Sequence, residues 1–230
     1  MMFFNPLYLV FALPGLLLAL LAQWHVRSTF SKYAQVSTGQ RVSGLQAANI
    51  LMRNNGLTNI GVKGIAGRLT DHYDPRDKSI SLSDSSSQNS IASVAVVAHE
   101  LGHAMQDAEG YVPLKLRSAI VPAVQIGGWV GPILFFVGLL IGITQLAWLG
   151  VIAFGVTTIF ALVTLPVEFD ASNRGMRMLQ SSNVLVGDEL NGARSVLNAA
   201  ALTYVAAALQ SILTMLYYVT LLSGGSRRRS

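Results

Sequence analysis

His99-Glu100-Leu101-Gly102-His103 is the cluster whose residue types and spacing prescribe a chemistry. Histidines four positions apart on a helix share one face about one turn from each other, so both imidazoles reach a single Zn²⁺ at roughly 2.0–2.1 Å. Glu100 projects beside that metal position rather than onto it, where a carboxylate takes a proton from metal-bound water. The chain has no cysteine, which excludes disulfides, thiolate metal sites, iron–sulfur clusters and a cysteine nucleophile, and leaves nitrogen and oxygen as metal donors. The alternative is a packed amphipathic helix that carries two histidines by chance. Against it, IASVAVVAHELGHAMQDAEG is otherwise apolar up to the motif, and burying two imidazoles and a carboxylate without compensation costs several kcal/mol. Metal coordination supplies the compensation.

A hydrolytic zinc site keeps one position open for water and therefore takes a third protein ligand. The extended pattern, with glycine and a third histidine further along the same helix, fails because Gln106 and Glu109 occupy those positions. The ligand must come from elsewhere. Glu168, in VEFDASNRGMRML directly after Pro166, is the best candidate, and Asp170 is its nearest rival. Glu168 and Ala171 one turn apart would leave a small side chain against the histidine helix, whereas Asp170 would point away or simply face solvent.

The elements that must bring these residues together are set by composition. Of the 230 residues 52% are hydrophobic and 12% charged, about half the charge of a soluble domain. Apolar runs of the roughly 17–25 residues needed to cross a bilayer occur at Pro6 to Ala22, Ile126 to Ile143, Leu146 to Pro166 and Ala199 to Leu222. The first reads as a retained anchor rather than a cleaved signal, since no basic region precedes it and no small-residue cleavage site follows. The second and third are separated only by Thr144 and Gln145 and form a hairpin, with Gly127, Gly128, Gly131, Gly138 and Gly142 suited to close helix contact. No ionisable residue interrupts Val121 to Val167, which argues against an ion or proton path. The fourth ends at Gly224-Gly225 and a basic tail, Arg227 to Arg229.

Four crossings place the segments 23–120 and 167–198 on one membrane side, where they can build one site. The first is a polar insert with a predicted helix over Ser43 to Asn55, an extended stretch over Ile60 to Leu69, and a hairpin around Asp74-Pro75-Arg76-Asp77 in which Ile80 and Leu82 alternate with serines. A serine-rich loop then leads into the zinc helix over 91–109, capped by Asn89 or Ser90 and stopped at Gly110. The second holds the third-ligand helix. The expected organisation is a transmembrane helix at 1–22, the insert, a transmembrane hairpin at 121–166, the ligand segment, a fourth span at 199–222 and a tail at 223–230. The fold class is mainly α: a four-helix integral membrane protein with a small α+β zinc-metallopeptidase domain formed by two loops on one membrane side.

On these motifs the chain resembles the membrane-bound neutral zinc metallopeptidases of the YugP type, called zinc peptidase 2. LTDHYDP at Leu69 to Pro75, AHELGHAMQ at Ala98 to Gln106, PVEFDASNR at Pro166 to Arg174 and ALTYVAA at Ala201 to Ala207 carry the resemblance over nearly the whole chain. More distantly it is similar to the HtpX and CAAX-prenyl protease group, in which a membrane hairpin also separates the histidine helix from a glutamate ligand. That group usually has aspartate four residues after the glutamate, where this chain has Ser172, so Asp170 or Asp107 is expected to support the histidines instead. In related peptidases the strand before the catalytic helix pairs with extended substrate. His72, on that strand, is therefore either a donor to the oxyanion or a histidine packed against the turn. Arg174 and Arg177 bind either a substrate carboxylate or lipid headgroups.

The expected activity is zinc-dependent endopeptidase hydrolysis of peptide or membrane-protein substrates, with metal ligands His99, His103 and Glu168 and with Glu100 as general base. The rival is a catalytically silent membrane scaffold with a structural zinc site. An intramembrane protease would immerse the zinc helix in lipid, against which the polar neighbours Gln106, Asp107 and Glu109 argue. The net charge of +5 orients membrane loops rather than binding nucleic acid. Arg27, Lys32, Lys115, Arg117, Arg174, Arg177 and Arg194 flank the loop side, against Arg227 to Arg229 opposite. The expected location is the plasma membrane of a prokaryote, with the catalytic side cytoplasmic.

Overall fold

The computed structural model describes residues 6–226, so the arginines of the expected basic tail lie outside the described residues. The elements in chain order are α1 (Pro6–Ala34), α2 (Gly44–Asn54), β1 (Gly61–Ile65), β2 (His72–Asp74), β3 (Ser79–Ser83), α3 (Ile91–Ala108), α4 (Val112–Leu140), α5 (Thr144–Ser182) and α6 (Asp188–Ser226). Among the described residues α1, α4, α5 and α6 are the helices long and apolar enough to cross a membrane. The fold is mainly α, with one small sheet.

Each long helix runs past its apolar run, because a helix continues until it is capped or broken while hydropathy marks only the part that prefers lipid. Beyond Ala22, α1 continues for three turns as Phe30 and Tyr33 pack into the polar unit's core. Pro166 sits inside α5 rather than at its end, and Gly224 and Gly225 lie inside α6. The hairpin turn falls at Ile141 to Ile143, not at Thr144 and Gln145; Gly142 there has φ +75°, a conformation in which glycine bears no Cβ penalty.

The chain divides into two compact units. The first comprises residues 1–21, 116–165 and 203–230. Its core gathers Phe135, Ala147, Val151, Tyr217, Tyr218 and Leu222, with Phe135 stacked on Tyr218 at 4.0 Å between ring centroids. Small residues bring α4 and α5 together there: a Cβ on Gly138 would lie 2.4 Å from the Ala147 nitrogen, and one on Gly150 would lie 2.4 Å from the Phe135 nitrogen.

The second unit, residues 22–115 and 166–202, is built around α3. Ser90 caps α3 by accepting from the Ser93 backbone N–H at 3.1 Å, and Gly110, with φ +69°, follows the helix end. Ser43 caps α2 in a reciprocal capping box with Gln46. Ala92, Val94, Ala95, Val97, Ala98, Leu101 and Ala104 are buried all round α3, against Ala47, Ala48 and Leu51 of α2, Ile80 and Leu82 of β3, and Leu179 and Val196 of the ligand-side helices. The sheet order is β1-β3-β2, with β1 parallel and β2 antiparallel to β3. As the central strand, β3 is buried on both faces, its serines included. They stay inside because Ser83 bonds Asp71 and Ser79 bonds Asp77.

Candidate metal centre

Two glycines set how closely α3 and α5 approach. A Cβ on Gly102, the fourth residue of the histidine motif, would stand 2.1 Å from the Ala171 carbonyl oxygen, and one on Gly175 would stand 2.6 Å from the Ala98 carbonyl oxygen. The backbones therefore touch where only glycine fits, with Ala171 fully buried at the contact. Glu168 lies one turn before Ala171 on α5, and the contact presents it to the two histidines of α3.

His99, His103 and Glu168 form a group whose three ligand atoms all lie within 4.8 Å of one another. Glu168 Oε2 is 3.1 Å from His99 Nε2 and 3.5 Å from His103 Nε2. Ligand atoms around a tetrahedral zinc with bonds of about 2.0–2.1 Å are roughly 3.3 Å apart, so these separations suit that ion. Glu168 is only 2% exposed.

The hydrogen-bond pattern says why a cation belongs there. Gln106 is fully buried, and its Nε2 donates to the Val167 carbonyl at 2.8 Å and to Asp170 Oδ2 at 2.9 Å. Both partners are acceptors, which fixes the amide's orientation and turns its Oε1 toward His103 Nδ1 at 3.0 Å. An oxygen acceptor requires the proton on Nδ1, so in the neutral ring Nε2 offers its lone pair to the Glu168 carboxylate. Two acceptors face each other, an arrangement that a metal ion or a proton relieves. Burial pulls the His103 pKa down, yet the neighbouring Glu168 and Glu100 carboxylates raise it overall, so the site draws positive charge. On the other histidine, Nδ1 of His99 is 3.0 Å from Ser172 Oγ, which turns its Nε2 inward as well. The donor set, the separations and the tautomer all fit zinc.

Glu100 is 8% exposed and follows His99 on α3. Among the described residues its carboxylate has no hydrogen-bond or ion-pair partner. Asp170, the rival ligand, stands outside the trio and accepts from Gln106 and from Arg174 Nε. It supports His103 through the Gln106 amide, at one remove. Asp107 serves neither histidine; it takes the Tyr73 hydroxyl at 2.6 Å and pairs with Lys78, tying the hairpin to the end of α3. Ser172 itself supports His99. Gln106, expected as a polar neighbour that argues against immersion of the helix in lipid, is fully buried in the protein. The signal for it was present in its spacing, three residues after His103 on the same helix face.

His72 is not brought to the trio. Tyr73 points toward Asp107, whereas the adjacent His72 is exposed on β2 with Nδ1 3.0 Å from the Thr70 carbonyl oxygen. Arg174 has its side chain 12% exposed, paired with Asp170 and Glu109 and lying over the Tyr111 ring, so it is committed to the fold. Arg177 is exposed beside a cleft of about 530 Å³ that Met105, Glu109 and Arg174 also line.

Comparison with known proteins identifies the family. The sequence model of a family described as "Putative neutral zinc metallopeptidase" matches residues 8–223. The chain is 40% identical over 220 residues to the "Putative membrane protease YugP" of Bacillus subtilis (strain 168), covering 95% of this chain and 98% of that protein. No solved structure matches. The chain belongs to the neutral zinc metallopeptidase family, its cofactor is zinc, and it is an integral membrane protein.

Proposed function

We propose that this chain is a membrane-bound zinc-dependent endopeptidase whose metal is held by His99, His103 and Glu168 and whose general base is Glu100. The observation that carries the reading is the pairing of a three-donor buried group with an adjacent buried carboxylate, Glu100, that has no hydrogen-bond or ion-pair partner among the described residues. Three protein ligands leave one position for water, whereas a structural zinc is closed by four. Zinc, when bound, acidifies its water and polarises the scissile carbonyl. Beside that group Glu100 would serve as general base toward the attacking water and as general acid toward the leaving amine. Gln106 and Ser172 hold the two imidazoles with Nε2 inward throughout, and Glu168 keeps its carboxylate turned to the same point. No side chain forms a covalent bond to substrate.

The substrate class is a peptide or membrane-protein segment, supported by the likeness to the putative membrane protease of Bacillus subtilis. The Bacillus relative favours a prokaryotic plasma membrane, and the basic residues that flank the loops favour a catalytic side in the cytoplasm. Single cysteines at Ser85 and Ser226 test the orientation in intact cells: labelling of Ser85→Cys but not Ser226→Cys by an impermeant reagent inverts it.

The test of the activity is Glu100→Gln in the purified full chain. The variant is expected to keep its zinc and its melting temperature and to lose peptide hydrolysis by several orders of magnitude, because an amide cannot accept the proton. Turnover near that of the native chain in the zinc-loaded variant contradicts the assignment. Absence of hydrolysis in the native zinc-loaded chain over a broad substrate panel favours the silent scaffold.

A further inference from the structure

Outside the metal centre, α1 carries a second concave site. A cleft of about 410 Å³ is lined by Arg27, Phe30, Ser31, Arg68 and Leu69, the first three from α1 and the last two from the segment joining β1 to β2. Both arginines are exposed, and among the described residues neither pairs with a carboxylate. Arg68 is held in place by packing: its guanidinium lies over the buried Phe30 ring at 5.4 Å, and its NH2 donates to Ser31 Oγ at 3.3 Å. Leu69, 40% exposed, adds an apolar wall. The cleft thus combines two uncompensated guanidinium groups, a hydroxyl and an apolar floor.

Its position along α1 identifies the occupant. Leu20, Trp24, Arg27 and Ser31 follow one another at intervals of three or four residues and so share one face of a continuous helix. Leu20 is 55% and Trp24 67% exposed, as expected of a face turned to lipid with a tryptophan at the membrane boundary. At 1.5 Å per residue, Arg27 lies about 4.5 Å and Ser31 about 10 Å beyond Trp24. The polar headgroup layer of a bilayer is roughly 5–8 Å deep on each side. A lipid whose chains run along Leu20 and Trp24 therefore has its phosphate level with Arg27.

We propose that this cleft binds the phosphate headgroup of an anionic phospholipid, with Arg27 and Arg68 on the phosphate oxygens, Ser31 beside them, and Phe30 and Leu69 against the glycerol and upper acyl chain. Arginine suits the task because its planar fork meets phosphate oxygens bidentately. The proposal depends on α1 crossing the bilayer and not on hydrolysis, so its failure leaves the proposed activity untouched.

The test is native mass spectrometry of the full chain in neutral detergent, titrated with phosphatidylglycerol, with phosphatidylcholine, and with inorganic phosphate as competitor. The native chain is expected to retain phosphatidylglycerol in clear preference to phosphatidylcholine, and millimolar phosphate is expected not to displace it. Arg27→Gln with Arg68→Gln is expected to weaken retention roughly 30-fold, equivalent to about 1 kcal/mol for each arginine. Arg41→Gln with Arg53→Gln removes the same charge outside the cleft and is expected to leave retention unchanged. If the double variant loses its melting transition, each single variant carries the test at roughly fivefold. Undiminished retention in the cleft variants, or equal retention of phosphatidylcholine, overturns the proposal. Displacement by phosphate assigns the cleft to the free anion and overturns it too.

Discussion

The helix α5 is packed through glycine twice, and the two contacts do different things. In the first unit its Ala147 and Gly150 meet Gly138 and Phe135 of α4, and backbone approach is itself the source of stability, as expected between helices in lipid where no hydrophobic force favours association. In the second unit Gly175 meets Ala98 and Ala171 meets Gly102, and the same closeness carries polar cargo: it sets Glu168 within 3.5 Å of both inward histidine nitrogens. The lesson is that a glycine of the histidine motif serves geometry as much as the histidines serve chemistry. Leu101 is core, Gly102 is contact, and the site exists only where the two helices touch.

The sharpest way to break the comparison is to add one methyl group in each place. Gly102→Ala puts a carbon 2.1 Å from a backbone oxygen that cannot step aside without moving α5. It is expected to lower zinc affinity by about 100-fold or more and to destabilise the chain by roughly 2–4 kcal/mol, the scale of overpacked cores. Gly150→Ala, with its Cβ 2.4 Å from the Phe135 nitrogen, is expected to cost similar stability and leave zinc affinity within about threefold. Gly155→Ala, which meets nothing within 4 Å, is expected to be neutral or stabilising by up to about 1 kcal/mol. Chelator competition and thermal melts read all three, and equal zinc loss in Gly102→Ala and Gly150→Ala would erase the distinction.

Next in size is the support of the imidazoles. Gln106→Ala strands the His103 Nδ1 proton, leaves Asp170 only its Arg174 partner, and is expected to weaken zinc binding about 10- to 100-fold, the usual effect of removing an outer partner of a histidine ligand. Gln106→Glu, which keeps an acceptor for His103 but sets a carboxylate against Asp170, is expected to fall between native and alanine at neutral pH. Ser172→Ala removes one weaker acceptor and is expected to cost about tenfold or less. A larger loss from Ser172→Ala than from Gln106→Ala would reverse the ranking of the two supports.

The smallest effect belongs to the tie between the hairpin and α3. Burial pushes the Asp107 carboxyl up, but the bonds from Lys78 and Tyr73 outweigh it and hold it below its ordinary value. A carboxyl whose folded pKa is depressed stabilises the fold above its unfolded pKa of about 3.9 and loses that contribution as pH falls through the folded value. Denaturation as a function of pH is therefore expected to show stability falling below about pH 4, with a shallower fall in Asp107→Asn, a difference of about 1 kcal/mol. Identical slopes in the two proteins would show that the tie carries no pH-dependent stability.

Much of the molecule was legible in the sequence because its strongest signals are one-dimensional. A pair of histidines four apart needs only helical periodicity, and an apolar run long enough to cross a bilayer needs only composition. Choosing Glu168 over Asp170 used the same arithmetic, through the small Ala171 one turn away. What stayed hidden required knowing what lies across a contact. Gln106 read only as a polar neighbour that argues against immersion in lipid; it is buried because His103, Val167 and Asp170 satisfy it from two helices. Ser172 looked like a missing aspartate, yet its hydroxyl, four residues from Glu168, reaches His99 Nδ1. The alternation of Ile80 and Leu82 with serines marked β3 as a strand but not as the central one, buried on both faces. Helix ends beyond Ala22 and Pro166 were missed because packing in the second unit, not hydropathy, extends them.

The central claim is that Glu168, delivered by α5, completes a zinc site begun by His99 and His103. Zinc content of the purified full chain after dialysis against a weak chelator tests it most directly, in the native protein, Glu168→Ala and Asp170→Ala, with melting curves to confirm that each is folded. The prediction is one zinc per native chain, loss of nearly all zinc from Glu168→Ala, and retention of most zinc by Asp170→Ala with affinity weakened about tenfold, as its support through Gln106 requires. Full zinc in Glu168→Ala together with an empty Asp170→Ala would contradict it.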